Sequence, residues 1–174
     1  MLPNALIIGS MKSGTTSLFR YLETHPDLIG SRVKETNFFL TEGDFSRGVD
    51  WYQSLFSEDG KLAFEASPNY TKRHLFPGVG ERIKRTLPDV KLVFMVRDPI
   101  RRMFSHYIHN VAQGREAREP ATALLEEGSN YLLTSKYAYQ LAEYTQFFEL
   151  EQIKIIEFEK FCRATEGSMS EISE

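Results

Sequence analysis

Cysteine occurs once in the 174 residues, at Cys162, and that scarcity excludes intrachain disulfides and cysteine-based zinc clusters. The expectation for Cys162 itself is a small apolar residue buried near the end of the core. No apolar run approaches the length needed to cross a bilayer, and no basic and apolar leader precedes Ala5; both point to a cytoplasmic chain without a membrane span. An excess of charge of one sign is also missing, since 21 Lys and Arg stand against 24 Asp and Glu for a formal charge of −3. The chain therefore has no global attraction for nucleic acid or an anionic surface, and any anion site must be local. No repeat, low-complexity tract or interdomain linker interrupts it. With 41% hydrophobic and 26% charged residues, it reads as one globular domain over 1–174.

What is present begins with Ala5 to Leu22. Ala5 to Ile8 is a short continuous apolar run, suited to a strand buried on both faces. From Thr15 the period changes, with Leu18 and Leu22 four apart, and a helix is expected. Between them Gly9 and Gly14 supply backbone freedom, Lys12 a positive charge, and Thr15, Thr16 and Ser17 hydroxyls where a helix leaves its first amides unpaired. Strand, loop and helix start together form an anion pocket. Gly9 and Gly14 have the spacing of the common phosphate loop, but Thr15 stands where its lysine belongs, which disfavours an ordinary nucleoside triphosphatase. A plain surface turn is the competing reading of Gly-Ser-x-Lys-Ser-Gly.

Further on, Lys34-Glu35-Thr36-Asn37-Phe38-Phe39 places a charged pair before two aromatics, as a chain does when it leaves a pocket for the core. Glu35 is either a solvated ion-pair partner of Lys34, the simpler reading on composition, or a general base near the anion loop. Trp51, Tyr52, Leu55 and Phe56 have helical spacing; a Glu58-Asp59-Gly60 turn, a strand at Leu62 to Ala66 and a Ser67-Pro68-Asn69-Tyr70 turn follow. Gly80 to Leu87 reads as a helix with Arg82, Lys84 and Arg85 solvated. Lys91 to Val96 is a second buried strand, running into Arg97 and then Asp98-Pro99, an N-cap followed by a first helical residue. In that helix Ile100, Met103, Phe104, Tyr107 and Val111 are expected to bury one stripe. Arg97 lies at a strand's carboxyl end, where open parallel sheets bind ligands, and its charge agrees with Lys12; a salt bridge with Asp98 is the competing reading. His106 and His109 lack an evident third metal ligand and are read as helix-surface residues. Gln113 to Pro120 is polar, a mobile loop that either borders a cleft or is merely solvated. Tyr137, Leu141, Tyr144 and Phe148 form a core-facing helical stripe, Ile153 to Phe158 is a third strand, and the residues from Arg163 onward look frayed.

Taken together, these motifs resemble the sulfotransferase superfamily that uses 3′-phosphoadenosine 5′-phosphosulfate, above all its heparan-sulfate-type and related bacterial domains. Lys12-Ser13-Gly14-Thr15-Thr16 looks like the loop that binds the 5′-phosphosulfate. Lys34-Glu35-Thr36-Asn37-Phe38-Phe39 is similar to the family segment whose glutamate is the catalytic base. Ser67-Pro68-Asn69-Tyr70 matches its Ser/Thr-Pro-x-Tyr turn, and Ser135-Lys136-Tyr137 fits the start of a long helix. Arg97-Asp98-Pro99, with Arg102, Ser105 and Tyr107 behind it, looks like the site that holds the 3′-phosphate through Arg97 and Ser105. The matches run from Ala5 to about Phe158.

The resemblance implies an α/β, phosphate-loop-NTPase-like three-layer fold with a mostly parallel sheet. It implies Glu35 and Lys12 as catalytic residues, Lys12, Ser13, Gly14, Thr15, Thr16, Ser17, Arg97 and Ser105 as donor-binding residues, and no metal. The expected acceptor is a small-molecule, glycan or carrier-bound hydroxyl or amine. Two departures stand out. Ala66 occupies a place where heparan-sulfate-type members often carry lysine near the reacting centre. The family domain also continues past the strand at 153–158 into a glycine- and lysine-bearing loop, whereas this sequence ends at Glu174 without it, so a fragment, a shortened form or completion by another chain is expected. A truncated non-catalytic nucleotide-binding module and a divergent phosphate-loop kinase are the alternatives.

Overall fold

Five short apolar runs become strands: β1 at Ala5–Gly9, β2 at Leu28–Gly30, β3 at Leu62–Ala66, β4 at Lys91–Val96 and β5 at Ile153–Glu157. In the computed structural model, which describes residues 1–57 and 62–163, they form one sheet in the order β2-β3-β1-β4-β5. Each neighbouring pair is parallel, so each connection must cross over the sheet and helices cover its faces. The helices are α1 at Thr15–Leu22, α2 at Glu42–Phe45, α3 at Val49–Gln53, α4 at Val79–Thr86, α5 at Pro99–Ala112, α6 at Pro120–Leu125, α7 at Asn130–Ser135, α8 at Tyr137–Leu141 and α9 at Phe158–Arg163. None among the described residues is long and apolar enough to cross a membrane.

Alternation along the strands divides the core in two. Ile7, Phe64, Ala66, Val93 and Met95 face α1, where Leu18, Phe19 and Leu22 are buried against them, with α9 supplying Phe158 and Phe161. Leu6, Ile8, Ala63, Leu92 and Phe94 face the other way, into a larger cluster that takes in Phe38, Phe39, Tyr52, Tyr70 and Tyr144. Phe38 stacks on Tyr52 with centroids 4.4 Å apart. Each fully buried phenylalanine here contributes about 2–3 kcal/mol relative to exposure. After β1 the chain moves to one side, through β2 and β3, and after β3 it returns past β1 to β4. This reversal opens a crevice at the carboxyl ends of β1 and β4, and there lie the loop of residues 10–14 and Arg97.

Several expectations are corrected. The stripe on α5 is not buried: Ile100, Phe104 and Val111 are exposed, while Met103 and Tyr107 pack against a small cluster of Ala123, Leu124 and Tyr131. The buried residues of α5 are polar, Arg102 and His106, because this face meets the 10–14 loop and α7 and not the sheet. His106 is thus not on the surface. Arg82 is buried, donating to the carbonyls of Phe39, Leu40 and Pro77 and to Glu42. Cys162 is exposed. The stripe from Tyr137 to Phe148 is carried by α8 and a following 3₁₀ turn at Tyr144–Gln146, not by one long helix. The edge strand β2 carries no clear alternation and went unread. The expected Glu58-Asp59-Gly60 turn, and the frayed end beyond Arg163, lie outside the described residues.

Candidate active site

The loop after β1 is fastened from inside. Ser10 donates from its backbone to the Met95 carbonyl at 2.8 Å, its Oγ reaches the same oxygen at 3.0 Å, and Ser10 Oγ and Ser13 Oγ are 2.6 Å apart. Ser13 is completely buried and lines neither cavity. Lys12 takes a left-handed conformation (φ 69°), and so does Gly14 (φ 87°). A Cβ on Gly14 would lie 2.5 Å from the Phe158 ring, so conformation and space both require glycine there. The first intrahelical bond of α1 runs from Leu18 N–H to the Gly14 carbonyl at 3.0 Å, and no side chain caps the helix. The amides of Thr15, Thr16 and Ser17 are therefore not used by the helix, and the positive end of its dipole is open.

Two adjoining cavities, of about 370 and 530 Å³, meet at Lys12, Arg97, Ser105 and His109. The first is bounded by Gly14, the leading turn of α1 and Glu35, the second by Arg101, Phe104 and Ile108 of α5. Of the residues expected to form a site, Lys12, Gly14, Thr15, Thr16, Ser17, Glu35, Arg97 and Ser105 are brought to this cleft; Ser13 is turned inward.

Arg97 does not pair with Asp98. Its Nη1 donates to the Lys12 carbonyl at 3.3 Å, its guanidinium stacks 4.7 Å from the Phe158 ring centroid, and its backbone is fixed by the Tyr137 hydroxyl. Its Nε is buried without a hydrogen-bond partner. Asp98 instead caps α5, accepting from Arg101 N–H at 2.8 Å. Glu35 pairs with Lys34 at 3.0 Å yet keeps a side chain 44% exposed, and it is the one carboxylate among the described lining residues. Cationic groups and free amides thus surround a single acid.

Behind the lining stand charged groups, of which Arg102 was expected beside the 3′-phosphate site while Lys72 and Glu65 were not singled out in the sequence. Arg102, wholly buried, donates to the Met11 and Tyr131 carbonyls and to Ser135 Oγ, bolting the loop to α7. Lys72 is buried with its ammonium 3.0 Å from the Met11 sulfur; burial, then the nearby Arg102, push its pKa down to about 8, against the pull of Glu35. Burial, with Lys72 and Arg102 adding, pushes His106 down to about 3, so its imidazole is neutral at pH 7. Glu65, on the apolar face of β3, is driven up to about 7 by burial against the pull of hydrogen bonds from its neighbours. The spacing of Arg102 and His106, four apart on α5, is the one signal that offered a buried polar face.

A parallel α/β core with unpaired helix amides and a lysine after its first strand, and a second cationic residue at the tip of the adjacent strand, places the chain in the class of α/β domains whose clefts suit anionic ligands. The sequence model of the sulfotransferase domain matches residues 2–174, and the chain belongs to that family. It is 35% identical over 124 residues to the membrane-associated sulfotransferase kil1 of Dictyostelium discoideum, covering 68% of this chain and 25% of that protein. It is 29% identical over 170 residues to heparan sulfate glucosamine 3-O-sulfotransferase 5 of Homo sapiens, covering 90% of this chain and 48% of that one. The chain thus spans between a quarter and about half of these relatives' length. The solved sulfotransferase of Alicyclobacillus acidocaldarius superposes with a TM-score of 0.81 at 33% identity, over 94% of this chain and 76% of the other. A sulfotransferase domain from the curacin biosynthetic pathway shares the fold at a TM-score of 0.61 and 16% identity, over 99% and 72%.

Proposed function

We propose that this chain moves a sulfuryl group from 3′-phosphoadenosine 5′-phosphosulfate to a hydroxyl or amine acceptor. The observation that carries the reading is the convergence of Lys12, the unpaired first turn of α1, Glu35, Arg97 and Ser105 on one cleft. The residues present fit a donor with anionic groups at both ends. Lys12 and the amides of Thr15 to Ser17 suit the 5′-phosphosulfate, and Arg97, whose buried Nε lacks a partner, suits the 3′-phosphate together with Ser105. The donor supplies the sulfuryl group and a bisphosphate leaving group. Glu35 accepts the acceptor's proton as the new bond to sulfur forms, and Lys12 meets the negative charge released on the leaving oxygen. As in phosphoryl transfer, positioning and charge stabilisation do most of the work. Among small-molecule, glycan and carrier-bound acceptors, the relatives named for heparan sulfate favour a glycan.

Titration with adenosine 3′,5′-bisphosphate, and separately with ATP and magnesium, tests the donor class through thermal shift. The bisphosphate should raise the melting temperature and Arg97→Ala should abolish the rise; a shift with ATP and magnesium alone would overturn the reading in favour of a kinase. Glu35→Gln should preserve bisphosphate binding and stop transfer. Full transfer by that variant would remove Glu35 as the base.

A further inference from the structure

Glu65 is out of place by every packing argument. It is fully buried on the face of β3 that also carries Ala63, and it lies beside Thr36, Tyr52, Ser67 and Tyr70. Among the described residues no cation pairs with it, and its Oε1 has no hydrogen-bond partner. An apolar side chain of similar size would be expected to stabilise this position. A carboxyl kept there needs a use other than packing.

The hydrogen bonds around it supply one. Thr36 gives its only hydroxyl proton to Glu65 Oε2. Its oxygen is then left to accept, and it does so from the Tyr70 hydroxyl at 3.2 Å and from Phe38 N–H at 3.3 Å. Tyr70, having donated, accepts from Phe39 N–H at 3.3 Å. All the protons in this relay run one way and end on Glu65. Beside it, Asn37, with a left-handed φ of 51°, donates its N–H to Ser67 Oγ at 3.1 Å, and Lys34 accepts from Ala66 N–H at 3.4 Å. Within three residues the chain passes from exposed Glu35 to Phe38, which is completely buried. A descent that steep has few ways to be made, and the relay selects one of them.

We infer that Glu65 is a positioning residue: by accepting the Thr36 proton it fixes the 34–39 backbone and so sets where Glu35 presents its carboxylate to the cleft. The inference rests on the reading of Glu35 as the base. Glu65 lines neither cavity, and the Thr36 hydroxyl is the group of the 34–39 segment that it holds.

The test uses the full 174-residue chain with Glu65→Leu, Glu65→Gln, Thr36→Val and Thr36→Ser. Turnover is followed as bisphosphate release from the phosphosulfate donor, with desulfated heparan sulfate as probe acceptor. Amide exchange at Asn37 and Phe39, which needs no acceptor, is measured alongside. Glu65→Leu should leave the melting temperature unchanged or higher, lower kcat at least tenfold with the donor KM unchanged, and speed exchange at both amides. Glu65→Gln, which keeps an acceptor oxygen, should restore kcat to within threefold. Thr36→Val should copy the leucine variant and Thr36→Ser should not, which keeps the question open to test if Glu65→Leu fails to fold. In a Glu35→Gln background Glu65→Leu should cost nothing more. Unchanged exchange and kcat in both Glu65→Leu and Thr36→Val, or a kcat loss that only follows a fall in melting temperature, would overturn the inference. Full turnover by Glu35→Gln alone would instead strike at the base itself, while faster exchange in Glu65→Leu would still show that Glu65 fixes the segment.

Discussion

The wall of the cleft made by Ser10–Ser17 is held within itself and through its backbone carbonyls by Arg97 and Arg102, whereas Lys34–Phe39 is held by the side chains of Glu65, Ser67 and Tyr70, 29 to 34 residues away in sequence. The first wall offers backbone amides and a lysine. The second offers one carboxylate, and its aim depends on side chains from β3 and the turn after it. The cleft therefore has one side held by its backbone carbonyls and one side held by side chains of the core. Damage to the two should look different: the first should change binding and charge stabilisation, the second orientation at constant affinity.

The largest expected effect breaks the anchor of the first wall. Arg102→Leu leaves the Met11 and Tyr131 carbonyls without their donor in a buried setting, and should lower stability by about 4 kcal/mol in urea unfolding. A loss below about 1 kcal/mol would show that the loop does not depend on α7. Next, Lys12→Ala should reduce turnover by about 2–4 kcal/mol of barrier, roughly 30- to 900-fold, with little change in stability; an unchanged rate would remove Lys12 from the chemistry.

The third prediction sharpens the contrast through pH. Folded, Glu65 keeps its proton up to about 7, while the unfolded chain releases it near 4.5, so this group makes stability fall as pH rises between those values. His106 acts in the opposite sense: the unfolded chain binds its proton near 6.5 and the folded one only near 3, so stability falls as pH drops through that window. Between about 4.5 and 6.5 the two oppose each other. Glu65→Gln removes the opposing contribution, and its stability relative to wild type should rise by on the order of 2–3 kcal/mol from pH 4.5 to 7. A flat difference across that range would mean that Glu65 does not hold a proton in the folded state. Smallest of all, Phe104→Ser and Ile108→Ser on the exposed side of α5 should change stability by less than about 0.5 kcal/mol, because neither contributes to the described core.

The first wall could be read from the sequence because its signals are local: an apolar run, two glycines five apart, a lysine, and hydroxyls at a helix start. Arg97 was legible for a similar reason, since Asp98-Pro99 marks where β4 stops and α5 begins. Glu35 was visible as a candidate, but no local feature chose between ion pair and base; in the structure it both pairs with Lys34 and lines the cleft. Glu65 and Lys72 were not legible, because their environments are made by residues distant in sequence. A single glutamate in Leu-Ala-Phe-Glu-Ala looks like an ordinary strand residue until Tyr52 and Tyr70 close over it. On α5 the apolar period was real but its direction was not determined by period alone. The helix turns Arg102 and His106 inward to serve the loop and leaves Ile100, Phe104 and Val111 outside.

Phe158 gives the last consequence. Its ring fills the volume that a side chain on Gly14 would need and at the same time lies under the Arg97 guanidinium. It opens α9 directly after β5, so the end of that strand sets its ring between Gly14 and Arg97. Any shift of that strand would be transmitted at once to the glycine of the cradle and to the arginine across from it. The separation of Gly14 from Arg97 is thus gauged by one aromatic ring.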